Sequence, residues 1–260
     1  MLLAVDVGNT QTHFGVFDGG DLVEHWRIAT EAEATSDELA ARVAGLLALR
    51  GTGFDAITGA IVSSVVPQLT PGYASMSERY LETECLLVGP GLRTGMPILL
   101  DNPKELGADR LVNAVAAYAR FGEACAVVDF GTAVTFDAVS ADGEYLGGVI
   151  GPGVAISMEA LAERAAKLPP IELGEPLGEP GSVIGRSTQA GLQSGIVYGF
   201  AGAVDAIARR VQRELGADTD FIATGGQAHA IIPYCEMVDE IDDLLTLTGL
   251  RLIWEMNVGD

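Results

Sequence analysis

Short apolar runs alternate with helix-period segments from the first residues onward. Leu3-Ala4-Val5 ends in Asp6 and a glycine, a second hydroxyl-bearing strand follows, and Asp18-Gly19-Gly20-Asp21 signals a turn into a third strand through Trp26 to Ile28. Thr35-Ser36-Asp37-Glu38 has capping-box spacing and opens a helix whose Leu39, Val43, Leu46 and Leu47 share one face. The run Ala60-Ile61-Val62-Ser63-Ser64-Val65 predicts a buried strand, residues 69–81 a second helix, and Cys85-Leu86-Leu87-Val88 another strand. Strands and helices in this order predict an α/β fold with a mixed sheet flanked by helices.

Gly89-Pro90-Gly91 opens an irregular segment that reaches Asn102-Pro103-Lys104. A helix then begins near Gly107-Ala108-Asp109-Arg110 and runs into Phe121. Beyond it a second hairpin is predicted, then a third strand after the Asp142-Gly143 turn. Gly147 to Gly153 reads as a glycine-dense turn into a helix over 158–166, and residues 173–181 as an exposed Pro/Gly/Glu loop. Residues 187–215 predict one long helix rich in Gly and Ala. The strand Phe221-Ile222-Ala223-Thr224 ends in Gly225-Gly226, and 244–256 is the last element.

The two hairpins read as copies of one device. Residues 3–12 and 126–135 align without a gap, superposing Val on Val, Asp6 on Asp129, Gly8 on Gly131 and Thr12 on Thr135. Each is a β-branched strand ending in a carboxylate, a glycine turn and a hydroxyl-bearing strand, a pattern that suits phosphate oxygens and a balancing cation. The repeat predicts a duplicated α/β domain, with domains at 1–115 and 116–260 and the boundary inside the helix that ends at Phe121.

Charge narrows the choice of partners. The 260 residues carry a formal charge of −21, and the only lysines are Lys104 and Lys167. A surface this negative repels a nucleic-acid backbone, so no nucleic-acid partner is expected, and any anionic ligand needs local positive potential from amides, arginine or cations. Cys85, Cys125 and Cys235 are odd in number and include no C-x-x-C pair, which predicts buried thiols in a reducing compartment. With no basic leader and no apolar run near 18 residues, no membrane association is expected and a cytoplasmic protein is predicted. The P-loop, the G-x-S-x-G elbow and H-E-x-x-H are absent, and His13, His25 and His229 are too dispersed to suggest a metal site.

The paired Asp-x-Gly hairpins and the Thr224-Gly225-Gly226 junction resemble the acetate and sugar kinase/Hsp70/actin superfamily. Five ordered motifs narrow this to a resemblance to type III pantothenate kinase. They are Asp6 to Thr12, Asn102 to Arg110, Asp129 to Ala133, Gly148 to Gly153 and Ile184-Gly185-Arg186-Ser187-Thr188. The resemblance implies two related domains of the actin-like ATPase (ribonuclease H-like) type with an ATP cleft between them. It implies ATP-dependent phosphorylation of pantothenate to 4'-phosphopantothenate, the first step of coenzyme A biosynthesis, by a homodimer. ATP would come with a divalent cation, magnesium, and a monovalent cation, potassium or ammonium.

Carried over by position, the resemblance implies that Asp6, Val7, Gly8, Asn9, Thr10, Gln11, Thr12 and His13 cradle the ATP phosphates, with Asp6 near the divalent ion. It places Thr132 on phosphate and Asp129 on the monovalent cation. Gly107, Ala108, Asp109 and Arg110 match the pantothenate-binding segment, with Asp109 as general base and Arg110 available for the pantothenate carboxylate, and Thr188 matches a substrate-contacting threonine. Taken alone, Asp109 could equally be a helix-start carboxylate, and Ser187 or Thr188 merely an N-cap. His13, Met158, Trp26 and Trp254 also read as packing or edge residues. Leu100 stands where many members of that family carry an aromatic. Two alternatives keep the same fold: a kinase for another small hydroxyl acceptor, and a non-catalytic regulatory relative.

Overall fold

The computed structural model describes residues 1–165, 168–175, 182–238 and 240–258. These form two compact units, 1–96 with 101–116 and 244–260, and 97–100 with 117–243. Lys167, the last residue of the predicted 158–166 helix and most of the 173–181 loop lie outside the described residues.

In the first unit, β1 (Leu2–Val7), β2 (Gln11–Asp18) and β3 (Asp21–Ala29) form an antiparallel meander. Thr35 caps α1 (Ser36–Ala48) through a complete capping box with Glu38, as its spacing predicts. β4 (Gly59–Ser64) then pairs parallel to β1. α2 (Thr70–Met76) continues into a π turn over Ser77–Leu81, and β5 (Cys85–Leu87) adds parallel to β4. The sheet order is β3-β2-β1-β4-β5. Alternation along β1 and β2 sends Leu3, Val5, Val7, Phe14 and Val16 into one core, where Leu39, Val43 and Leu47 of α1 and Tyr73 and Met76 of α2 meet them.

α3 (Ala108–Phe121) divides between the units, residues 108–116 belonging to the first and 117–121 to the second. β6 (Cys125–Phe130), β7 (Ala133–Val139) and β8 (Tyr145–Pro152) form a second antiparallel meander. The run from Gly147 is therefore an edge strand up to Pro152, where a turn was predicted. Gly148 and Gly151 pair with β7 as strand backbone, while Gly147, at φ +129°, takes a glycine conformation where the pairing shifts register between Ala138 and Val139.

α4 (Val154–Arg164) and the long α5 (Thr188–Leu215) follow. β9 (Asp220–Thr224) pairs parallel to β6, α6 (Ala228–Ile231) is a single turn, and β10 (Glu240–Ile241) pairs parallel to β9. The order β10-β9-β6-β7-β8 repeats the strand topology of the first unit. Val197, Ala201, Val204 and Ala208 of α5 cover the core lined by Val128, Phe130, Val134 and Phe136.

α7 (Leu245–Val258) returns to the first unit and packs on β1, β2 and β4. A contiguous division at residue 115 would leave this helix with the second domain. Its apolar face instead covers the back of the first sheet: Leu247 reaches Gly15, and Trp254 lies against Gly59. Thr246 Oγ1 also donates to Asn113 Oδ1 at 2.7 Å, joining α7 to α3.

Candidate functional site

Asp6 is the last but one residue of β1, half-buried, and β1 pairs it with His13 of β2 and Ser63 of β4. His13 in turn pairs with Arg27 of β3. Residues opposite one another in a sheet share a face, so Ser63, Asp6, His13 and Arg27 form one polar row across four strands. Ser63 is fully buried, and its hydroxyl has no hydrogen-bond partner. His13 Nε2 meets His25 Nδ1 at 3.3 Å.

Of the stretch 6–13, only Gly8, Asn9, Thr10 and Gln11 lie at the open turn. Gly8 N donates to Gln11 O at 3.0 Å and closes it. Thr12 points the other way. It is buried, its Oγ1 lies 2.9 Å from Thr30 Oγ1, and it also bonds the Tyr73 hydroxyl, whose pKa burial pushes up to about 12. Thr30, which no local pattern singles out, also donates from Oγ1 to Gly8 O at 2.8 Å and from its backbone N–H to Thr10 O at 2.9 Å.

Asp109 is the second residue of α3, where the helix dipole favours a carboxylate. Its Oδ1 accepts the Arg110 N–H at 2.9 Å. Burial nevertheless dominates and holds its pKa above the ordinary value, against the lowering effect of that bond and of the Arg110 charge. A carboxylate raised in this way is a better proton acceptor near neutral pH than a solvated aspartate. Gly107 and Ala108, which lead into this turn, are half-buried with Asp109 and Arg110.

In the second unit, β6 pairs Asp129 with Thr135 of β7 and Thr224 of β9. Gly131 N donates to Ala133 O at 3.0 Å, so this turn is one residue tighter than the turn at Gly8. Thr12 and Thr135, superposed in the sequence alignment, consequently lie on opposite sheet faces. Thr12 enters the core, whereas Thr135 sits on the face of Asp129 and donates to Asp137 Oδ2 at 3.2 Å.

Two glycines close in on the Asp129 turn. Gly225, at φ +93°, lies so near that a Cβ there would stand 2.5 Å from Asp129 Oδ1, and one on Gly153 would stand 2.1 Å from Thr132 O. Thr132 is exposed at the tip. At the start of α5, Ser187 takes the capping role, accepting the Ala190 N–H at 3.1 Å, and Thr188 is the exposed first helical residue.

Asp6, Gly8 and Asp109 thus belong to one unit, and Asp129, Thr132, Gly225 and Thr188 to the other. Among the described residues no three His, Cys, Asp or Glu side chains form a cluster able to hold a metal ion, and no helix is long and apolar enough to cross a membrane.

Residues 2–210 match the family model for type III pantothenate kinase. The chain is 51% identical over 257 residues to a type III pantothenate kinase of Myxococcus xanthus, covering 99% of each. It is 51% identical over 270 residues to one of Streptomyces avermitilis, covering 100% of this chain and 99% of the relative. Among solved structures it is similar to an inorganic polyphosphate/ATP-glucomannokinase of Arthrobacter, with TM-score 0.51 at 15% identity, covering 100% of this chain and 99% of the other. The 2-hydroxyisocaproyl-CoA dehydratase activator of Clostridium difficile with bound ADPNP gives TM-score 0.56 at 12% identity, covering 98% and 93%. At these identities the structural likeness speaks for the fold, two sheets of the actin-like ATPase type.

Proposed function

Since the chain belongs to the type III pantothenate kinase family and so phosphorylates pantothenate with ATP in coenzyme A biosynthesis, we propose how its carboxylates divide that work. Asp109 is the general base. It takes the proton of the attacking pantothenate hydroxyl as the oxygen bonds the γ-phosphorus and ADP departs, and then returns that proton to solvent. The observation that carries this reading is the burial of Asp109, which raises its pKa at the start of α3 while Arg110 stands next in the chain. Arg110 is assigned to the pantothenate carboxylate, Gly107 and Ala108 to substrate binding beside it, and Thr188 to a substrate contact.

The turn from Gly8 to Gln11, with Val7, Thr12 and His13 fixing its strands, is assigned to the ATP phosphates, and Thr132 is assigned to phosphate as well. A divalent cation, magnesium, would supply neutralisation of the phosphate charge during transfer. Asp6 would hold it, with phosphate and water as the further ligands magnesium prefers: Ser63, His13 and Arg27, its neighbours in that row, carry no carboxylate, and the Ser63 hydroxyl has no hydrogen-bond partner. Asp129 holds a monovalent cation, potassium or ammonium, supported by the Gly225 backbone packed against its carboxylate.

The working unit is a homodimer in the cytoplasm, where ATP is available. Dimerisation is supported by apolar side chains left in solvent in the second unit, Ile150 at 66%, Val183 at 60% and Ile184 at 83% exposure. Light scattering should give a mass above the 27.0 kDa monomer.

Asp109→Asn tests the central assignment. It keeps the shape but cannot take the proton, so kcat should fall about 10²–10⁴-fold while magnesium–ADP binding, measured calorimetrically, stays near wild type. A near wild-type kcat at saturating pantothenate would make Asp109 a helix-start carboxylate only.

A further inference from the structure

We propose that Thr30 is a positioning residue for nucleotide binding, a strut that sets the backbone of the Gly8–Gln11 turn. Thr30 follows β3, two strands away from Asp6, yet three of its contacts end on this hairpin. Its Oγ1 donates to Gly8 O at 2.8 Å, the same oxygen lies 2.9 Å from Thr12 Oγ1, and its N–H donates to Thr10 O at 2.9 Å. A hydroxyl has one proton and two lone pairs. With the proton on Gly8 O, Thr30 Oγ1 accepts from Thr12, so the side chain has one consistent orientation.

The consequence for the ligand follows from peptide geometry. A trans peptide is planar, and its C=O and the next residue's N–H point in opposite directions. Drawing Gly8 O toward Thr30 therefore turns the Asn9 N–H to the opposite side of that peptide. Asn9 and Thr10 are exposed. A backbone N–H held toward solvent on a glycine turn is what a phosphate oxygen accepts from. Without the Thr30 hydroxyl the Gly8–Asn9 peptide is free to flip, and nucleotide binding has to order it first.

This rests on the reading that the Gly8–Gln11 turn receives the ATP phosphates, so the experiment carries Asp6→Asn alongside. Thr30→Val keeps the shape and the backbone N–H but removes the hydroxyl, and Thr30→Ser restores it. Calorimetric binding of magnesium with a non-hydrolysable ATP analogue should weaken about tenfold in Thr30→Val and return to within about twofold of wild type in Thr30→Ser. KM for ATP should rise with it, while KM for pantothenate stays within about twofold. A purely structural role would lower the melting temperature without separating the two substrates.

Analogue affinity unchanged in Thr30→Val but weakened in Asp6→Asn would overturn the role of Thr30 and leave the phosphate turn standing. If neither variant weakened binding, the phosphate-turn reading itself would fail. Should Thr30→Val not fold, Thr30→Cys, close to serine in size and a weak donor, takes its place against Thr30→Ser with the same expected split.

Discussion

Asp6 and Asp129 stand at the same point of the same strand topology, but the hairpins they open close differently. Asp6 is opposite His13, whereas Asp129 is opposite Thr135, one position earlier in the aligned sequence. The first turn closes from Gly8 to Gln11 and the second from Gly131 to Ala133. On the parallel side the match is closer: both aspartates pair with a buried hydroxyl residue, Ser63 in one unit and Thr224 in the other. The next position then diverges. Ser64 uses its hydroxyl to tie Val66 in a local turn, while Gly225 takes a positive φ and lies against Asp129. The repeated pattern is alike where the strands are buried and differs where the hairpins turn.

That difference can be pressed hardest at the position after the hydroxyl. Gly225→Ala puts a methyl 2.5 Å from Asp129 Oδ1 in a backbone region that side chains avoid, and should cost about 2–4 kcal/mol by urea unfolding. The equivalent Ser64→Ala loses only a local hydroxyl bond, about 1 kcal/mol. Equal effects would mean that the two turns are interchangeable.

The two aspartates come next. Asp6→Asn should raise KM for magnesium–ATP about tenfold, near 1.4 kcal/mol, and leave potassium dependence intact. Asp129→Asn should do the reverse: rates with potassium should fall to those in sodium at constant ionic strength. Identical phenotypes would mean that both carboxylates serve one ion.

A smaller effect tests the register itself. Thr12→Val should lose about 1 kcal/mol of stability because it takes a partner from the buried Tyr73 hydroxyl, while Thr30 keeps its bond to Gly8 O; Thr135→Val should lose less, leaving Asp137 its bond from Tyr145 at 2.6 Å.

The smallest effect is one of pH. The folded pKa of Asp109 lies above its ordinary 3.8, so the native state binds more protons than the unfolded chain between those two values. Stability contributed at this site is therefore lost as pH rises through that window. Asp109→Asn should raise the melting temperature at neutral pH and not at a pH well below 3.8. An equal gain at both would exclude the buried charge as its cause.

Much of the first unit was legible in sequence because its signals are local. The capping box at Thr35 and Glu38 and the strand runs at Leu3 and Ile61 need no partner to be read. The offset between the hairpins was written there too: Phe14 and Val16 fall at even distances from Asp6, and Val134 and Phe136 at odd distances from Asp129. A gapless identity match hides that shift, because it scores residues and not the face they occupy. Thr30 carried no signal, since a threonine after a strand is ordinary until the turn it braces lies beside it.

By itself the sequence determined the local grammar and the chemistry on offer: two strand–glycine–strand devices, a helix beginning near Gly107 to Arg110 with Asp109 in its first turn, and a family match through residues 2–210. Only the tertiary structure decided that α7 covers the first sheet, that the glycine run beyond Tyr145 is an edge strand, and that Ser63 and Thr30 stand beside the Asp6 hairpin. The physical reason is that apolar periodicity says that a face must be buried but not against what. Likewise, a hydroxyl's role is set by whichever group the fold brings within about 3 Å of it.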